Sequence, residues 1–287
     1  MDGVDFSLWK THKVKKDMIM GVALETLFGK PVIVGHRGFR AEYPENTLAG
    51  FSAAAEAGAD MIELDVRLSA DGHLMVIHDA QLDRTTDGKG FVKDQPFLQL
   101  KKLDAGFWFN PRFARERLPE LEEVLDGVLA RMAVNIEIKY DPEAPAMAFE
   151  AADQVVACIR KKQAEPFTLV SCFYGGVLRR VYQKAPDLHL GVLTYKNKKG
   201  FLNTCQELKA FSWNPDYRYL DPDELLAAKN EGLKVLPYTV NSRKDMKRLL
   251  DMGVDGFITD DPVEGRAAMK DINSQPPPWP SPVKGEG

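Results

Sequence analysis

The segment Met61-Ile-Glu-Leu-Asp-Val66 places two carboxylates, Glu63 and Asp65, at alternate positions between Ile62, Leu64 and Val66. A β-strand turns successive side chains to opposite faces, so the apolar set and the carboxylates point in opposite directions. Ala133–Ile138 repeats the pattern, with Val134, Ile136 and Ile138 on one face, Asn135 and Glu137 on the other, and Lys139 just beyond. Buried carboxylates are costly unless they are paired or hold a cation. Glu63, Asp65 and Glu137 therefore read in one of two ways. As ligands, with no thiol beside them, they suit a hard divalent cation, Mg2+ or Ca2+. As a structural feature, they form an internal ion-pair network with Arg67 and Lys139.

Two apolar runs, Val32-Ile-Val-Gly-His36 and Leu74-Met-Val-Ile-His78, each end on a histidine. Histidine moves protons near neutral pH, so a pair at the same rim as the carboxylates suits general acid–base work. Arg37 follows His36 directly, and Lys139 follows Glu137 by two. A planar guanidinium and an ammonium beside a cation make a cradle for phosphate rather than for a neutral sugar. The remaining histidines are given no chemistry: His73 lies in a turn, His189 starts a strand, and His12 sits in the N-terminal arm.

Positioning these groups requires strands that end on one face. Strands are expected at Val32–His36, Met61–Val66, Ala133–Ile138, Phe167–Ser171, Leu188–Leu193, Ala210–Trp213, Lys234–Thr239 and Gly256–Ile258. Helices are expected over Thr47–Ala57, Glu120–Arg131, Ala144–Lys161, Gly176–Lys184, Asp221–Asn230 and Arg243–Asp251, with Lys196–Glu207 left ambiguous. Such alternation implies parallel strands with crossover helices, and the tally fits a (β/α)8 TIM barrel of about 250 residues. A doubly wound sheet would carry a glycine-rich phosphate turn after its first strand, and Gly35-His-Arg-Gly38 is not one. One stretch breaks the rhythm. Ser69-Ala-Asp-Gly72 reads as a hairpin turn, and a small insertion subdomain is expected after the second strand, at about 80–118. It carries Phe107-Trp-Phe109, read as the insertion's own small core.

Composition narrows the class. The chain has 287 residues, 44% hydrophobic and 28% charged, with a formal net charge of −4. That excludes a wholly disordered chain and gives no global field for nucleic acid. No apolar run reaches the ~18 residues of a membrane span. Cys158, Cys172 and Cys205 form no CxxC spacing, which argues against a disulfide framework and a thiolate zinc site. Residues 1–29 are expected to form an N-terminal extension, 30–270 the barrel, and 271–287 a Pro-rich disordered tail. Lys10, Lys13, Lys15 and Lys16 before Met18–Leu24 only imitate a leader, and a cytoplasmic location is expected.

Taken in order, Gly35-His-Arg-Gly38, Pro44-Glu-Asn-Thr47, Gly58-Ala-Asp-Met-Ile-Glu-Leu-Asp-Val66, Asp71-Gly72, His78-Asp79, Arg84-Thr-Thr-Asp-Gly-Lys-Gly90 and Asn135-Ile-Glu-Ile-Lys139 resemble the glycerophosphodiester phosphodiesterase family. Thr239-Val-Asn241 and Gly253–Pro262 extend the likeness, which runs from about Val32 to Ala268. The resemblance implies a divalent metal on Glu63, Asp65 and Glu137, an acid/base pair His36 and His78, and phosphate contacts from Arg37 and Lys139. It also implies small-molecule glycerophosphodiester substrates, cleaved to glycerol 3-phosphate and an alcohol. His36 is the expected base and His78 the acid. Tyr238 stands where the family often has tryptophan, and with Phe173, just after the fourth strand, is expected to wall the substrate pocket. The alternative substrate is a single-chain lysophospholipid cleaved by a lysophospholipase D, with Phe107, Trp108 and Phe109 as an acyl groove. A glycosidase using two barrel carboxylates would leave the histidines and cations unexplained.

Overall fold

The computed structural model describes residues 21–196 and 200–273. The elements run α1 (Leu24–Leu27), β1 (Val32–His36), α2 (Leu48–Glu56), β2 (Met61–Leu68), β3 (Leu74–Val76), α3 (Phe97–Leu100), α4 (Leu121–Val128) and β4 (Ala133–Ile138). They continue as α5 (Pro145–Lys162), β5 (Thr168–Cys172), α6 (Gly175–Lys184), β6 (His189–Thr194), α7 (Phe201–Leu208), β7 (Ser212–Pro215) and α8 (Pro222–Asn230). The last are β8 (Lys234–Val235), α9 (Arg243–Met252), β9 (Gly256–Thr259) and α10 (Pro262–Asn273). Eight parallel strands are ordered β8-β7-β6-β5-β4-β2-β1-β9, and β3 pairs antiparallel with β2. Backbone bonds from Asp255 N to Val235 O and from Ile258 N to Pro237 O close the ring between β8 and β9. The fold is a (β/α)8 barrel.

Alternation along the strands produces two separate apolar cores. Outward residues such as Ile33, Ile62, Leu64, Val66, Val134, Ile136 and Val170 pack under the helices. Inward ones, Val32, Val34, Met61, Ala133, Leu169, Leu236 and Ile258, fill the barrel floor, with Leu24 of α1 plugged into it. Above that floor the inward positions turn polar. Register sets their level: His36 lies beside Glu63, Glu63 beside Asn135, and Asp65 beside Glu137.

The loop after β1 is held tightly against α2. Thr47 caps that helix, its hydroxyl accepting from Gly50 N at 3.1 Å. Gly38 has φ +92°, and a Cβ there would meet Gly50 C at 2.7 Å, so no side chain fits. Between β3 and α4 the chain forms only short helical turns around a separate small core of Met75, Ile77, Leu82, Val92, Leu100, Ala105 and Leu118. Phe107 and Trp108 lie outside that core, 59% and 37% exposed. The expectation that they fill it is corrected: Gly106 and Phe107 bond Asp104, and that turn carries the following rings outward.

Most expected boundaries hold within two residues. Lys234–Thr239 does not: only Lys234–Val235 is regular strand. Leu236 and Tyr238 still donate to Trp213 O and Pro215 O, while Pro237 has no N–H to donate on the side facing β9. Helix α10 closes the barrel where none was expected, and α7 fills the later part of the ambiguous 196–207 stretch. The lysines before Met18, His12 and the Pro-rich stretch from 274 lie outside the described residues. Among the described residues, no helix is long and apolar enough to cross a membrane.

Candidate active site

Each of the two rim histidines is held by a carboxylate. His36, at the end of β1, places Nδ1 2.6 Å from Asp260 Oδ1, just past β9. His78, two residues past β3, places Nδ1 2.6 Å from Asp79 Oδ1. An ionised carboxylate only accepts, so Nδ1 carries the hydrogen and Nε2 is the nitrogen available for proton transfer. Burial lowers the affinity of His36 for a proton against the opposing pull of Asp260. Burial lowers that of His78 too, with Lys139 and Arg37 assisting and Asp65 opposing. Both rings are therefore mostly neutral near pH 7 until an anion arrives beside them.

Below them, Glu63, Asp65 and Glu137 are all buried, and each offers an oxygen within 4.8 Å of the others. Asp65 accepts from Asn46 Nδ2 at 2.8 Å and lies 3.4 Å from both Arg37 Nε and Lys139 Nζ. Burial alone would raise its carboxyl, but Lys139, Arg37 and His78 outweigh that and hold it below the usual range. Glu63 behaves in the opposite way. Burial and the neighbouring charges of Asp65 and Glu137 push it well above the usual carboxylate range, against the pull of Arg37. Burial also raises Glu137, even though Lys139 Nζ sits 2.6 Å from its Oε1. So the two nearby cations do not fully compensate three buried carboxylates. The hard-oxygen donor set and its spacing fit a divalent cation.

Of the ion-pair reading, half is present: Lys139 bonds the carboxylates, while Arg67 donates Nε to the His78 carbonyl at 2.8 Å. Arg37 donates its backbone N–H to Glu63 Oε2 at 2.9 Å, which ties the His36 turn to the cluster. On the far wall, Phe173 stands edge-on to Tyr238 with ring centroids 5.8 Å apart. The Tyr238 hydroxyl donates to Thr194 O at 2.9 Å, so its ring rather than its hydroxyl is offered to a ligand. Beside Asp260 opens a cleft of about 440 Å3 lined by Arg40, Ala41, Trp108, Phe109, Asn241, Asp260 and Asp261.

A sequence profile of the glycerophosphoryl diester phosphodiesterase family matches residues 36–264, a stretch that contains every residue just named at the rim. The chain belongs to this family. A protein named glycerophosphodiester phosphodiesterase from Caldanaerobacter subterraneus is 41% identical over 234 residues, covering 81% of this chain and 95% of that one. Another from Bacillus subtilis is 36% identical over 247 residues, 80% of this chain and 83% of its own. Among solved structures, an Oleispira antarctica phosphodiesterase in complex with the product sn-glycerol-3-phosphate superposes with a TM-score of 0.79 at 28% identity. That superposition covers 84% of this chain and 97% of the other.

In this family member the fold gathers His36, His78, Arg37, Lys139, Glu63, Asp65 and Glu137 at one end of the barrel. Phe173 and Tyr238 meet each other at the same end. His73, by contrast, bonds Glu120 at 2.8 Å and stacks on Phe97. His189 starts β6 at the opposite end, its ring against Phe211. Sequence reasoning missed the groups that hold the site: Glu45, Asn46, Asp79, Arg84, Arg40, Asn241 and Asp260. All seven lie in loops, where no periodicity says which way a side chain points. The one available signal was charged residues clustered beside histidines and turns, as in Pro44-Glu-Asn-Thr47 and His78-Asp79.

Proposed function

We propose that this chain hydrolyses glycerophosphodiesters to glycerol 3-phosphate and a free alcohol, with Glu63, Asp65 and Glu137 holding Mg2+ or Ca2+. The observation that carries this is the pairing of two carboxylate-held histidines with a three-carboxylate cluster that two local cations leave undercompensated. The names and ligand of the relatives favour the same substrate class. When bound, a divalent cation there would neutralise charge on the phosphoryl oxygens. Arg37 and Lys139 add fixed positive charge in a site of low dielectric, where it counts most.

His36 takes the proton from the nucleophile, water or the glycerol hydroxyl next to the phosphate, at its Nε2. Asp260 on Nδ1 then stabilises the imidazolium that forms. His78 gives the proton from its Nε2 to the leaving alcohol oxygen, and the negative phosphodiester favours the charged ring that this requires. Phe173 and the Tyr238 ring wall the apolar side of the substrate.

A second reading, a lysophospholipase D, rests on Trp108 and Phe109, which line the cleft. The test compares kcat/KM for glycerophosphocholine and for lysophosphatidylcholine in wild type and Trp108→Ala. Small diesters are expected to be preferred. A clear preference for the lysolipid, with a KM for it that rises in Trp108→Ala, would install the second reading.

A further inference from the structure

Glu45 lies in the loop before α2, is 4% exposed, and bonds three guanidinium groups at once. Its Oε1 accepts from Arg37 NH1 at 2.8 Å and Arg84 NH2 at 2.7 Å. Its Oε2 accepts from Arg40 Nε at 3.0 Å and Arg84 NH1 at 2.9 Å. One buried carboxylate needs one cation for charge balance, so three call for another explanation.

Arg37 lies 3.4 Å from Asp65, and the other two arginines lead onward to the histidines. Arg40 NH1 donates to Asp260 Oδ2 at 3.0 Å, and Asp260 Oδ1 holds His36. Arg84 Nε donates to Asp79 Oδ2 at 2.6 Å, and Asp79 Oδ1 holds His78. The path His36–Asp260–Arg40–Glu45–Arg84–Asp79–His78 is unbroken. It joins segments 224 positions apart in the first dyad to neighbours in the second. Arg40 and Arg84 have side chains 37% and 41% exposed, so alone they would be free to swing on long, flexible stems. Glu45, buried and fixed by the capped turn at Thr47, is the anchor that removes that freedom.

We propose that Glu45 is a positioning residue that fixes the orientation of both histidine rings together, His36 through Arg40 and Asp260, and His78 through Arg84 and Asp79. The proposal rests on the phosphodiesterase reading of the site, in which both rings act in one turnover. Arg84 grips Glu45 and Asp79 with two bonds each, and Arg40 spans Glu45 and Asp260 with one nitrogen of its planar group on each. Such contacts transmit orientation as well as charge, which lysine would not do.

The test uses the full-length chain and three variants, Glu45→Gln, Arg40→Ala and Arg84→Ala. Proton NMR in water follows the downfield Nδ1–H signals of His36 and His78, assigned with His36→Gln and His78→Gln. Arg40→Ala should move only the His36 signal, Arg84→Ala only the His78 signal, and Glu45→Gln both. Turnover of glycerophosphocholine with saturating cation should fall about 10- to 100-fold in kcat, the usual cost of removing partners behind a reacting group. In Arg84→Ala KM should stay unchanged, because Arg84 does not line the cleft and Arg37 is untouched. Combining Arg40→Ala with Arg84→Ala should leave kcat no lower than Glu45→Gln does. A melting temperature that falls in Glu45→Gln while both signals and kcat hold would overturn the proposal. So would arginine variants that leave their own histidine's signal in place. Should Glu45→Gln not fold, the two surface arginine variants decide alone. A wild type that hydrolyses no glycerophosphodiester would overturn the functional reading, while the NMR signals would still decide the positioning.

Discussion

The barrel's interior is two environments on the same strands. At the floor, Val32, Val34, Met61, Ala133, Leu169 and Ile258 are fully or nearly fully buried and wholly apolar. One or two inward positions further along, β1 reaches His36, β2 reaches Glu63 and Asp65, and β4 reaches Glu137. Barrel interiors normally fill with branched apolar side chains, and the floor obeys that rule. The rim breaks it with buried charge that opposes folding unless a ligand compensates it. The fold is thus stabilised at one end and made reactive at the other, and perturbing the two ends should give opposite signatures.

The largest effect is expected at the rim. His36→Ala and His78→Ala should each lower kcat by ~10²–10⁴, the usual contribution of a positioned acid or base, with little change in melting temperature. The double variant should be little worse than the worse single one, because residues that act as a unit are non-additive. Steady-state kinetics and thermal melts on the three proteins check this, and independent multiplicative losses would break the pairing.

At the floor the reverse should hold. Leu169→Ala should cost ~2–5 kcal/mol of stability, through lost burial and the cavity left behind. Its kcat per folded molecule should stay near wild type, measured well below the melting temperature. A Leu169→Ala enzyme that melts normally but turns over slowly would show that the two ends are not separable.

A smaller effect sharpens the contrast. The Glu63 carboxyl is raised in the folded state above its ordinary 4.5, so the unfolded chain loses this proton first as pH climbs. Without added cation, stability should therefore fall as pH rises above 4.5 towards the folded-state value, and Glu63→Gln should flatten that decline. Saturating Mg2+ or Ca2+ should raise the melting temperature of wild type far more than that of Glu63→Gln. Calorimetry across pH, with and without cation, reads all three.

What could be read before folding follows the same division. Ile62, Leu64 and Val66 against Glu63 and Asp65 announce a strand and its two faces at once, because a period of two is a local property. His36 and His78 stand out because each ends such a run. Glu45 and Asp260 gave no such warning. Each sits in a loop, and what buries them is contact with Arg84, Arg40 and His36, far away in sequence. Lys234–Thr239 misled for another reason, since its apolar character fits a strand while Pro237 removes a donor on one of its two edges, leaving only Lys234–Val235 regular. Phe107 and Trp108 misled because an aromatic cluster is usually a core, and here the turn at Asp104 leaves those two rings exposed while Phe109 packs edge-on against Phe113.

The central claim is that the charged rim works on glycerophosphodiesters through a cation held by Glu63, Asp65 and Glu137. The direct measurement is glycerol 3-phosphate release from glycerophosphocholine by wild type stripped with EDTA, then resupplied with Mg2+ or Ca2+, beside Asp65→Asn treated identically. The account predicts no release after stripping, recovery on resupply in wild type, and little recovery in Asp65→Asn. Full turnover after thorough stripping would contradict it, and the carboxylates would then be an ion-pair network with Lys139.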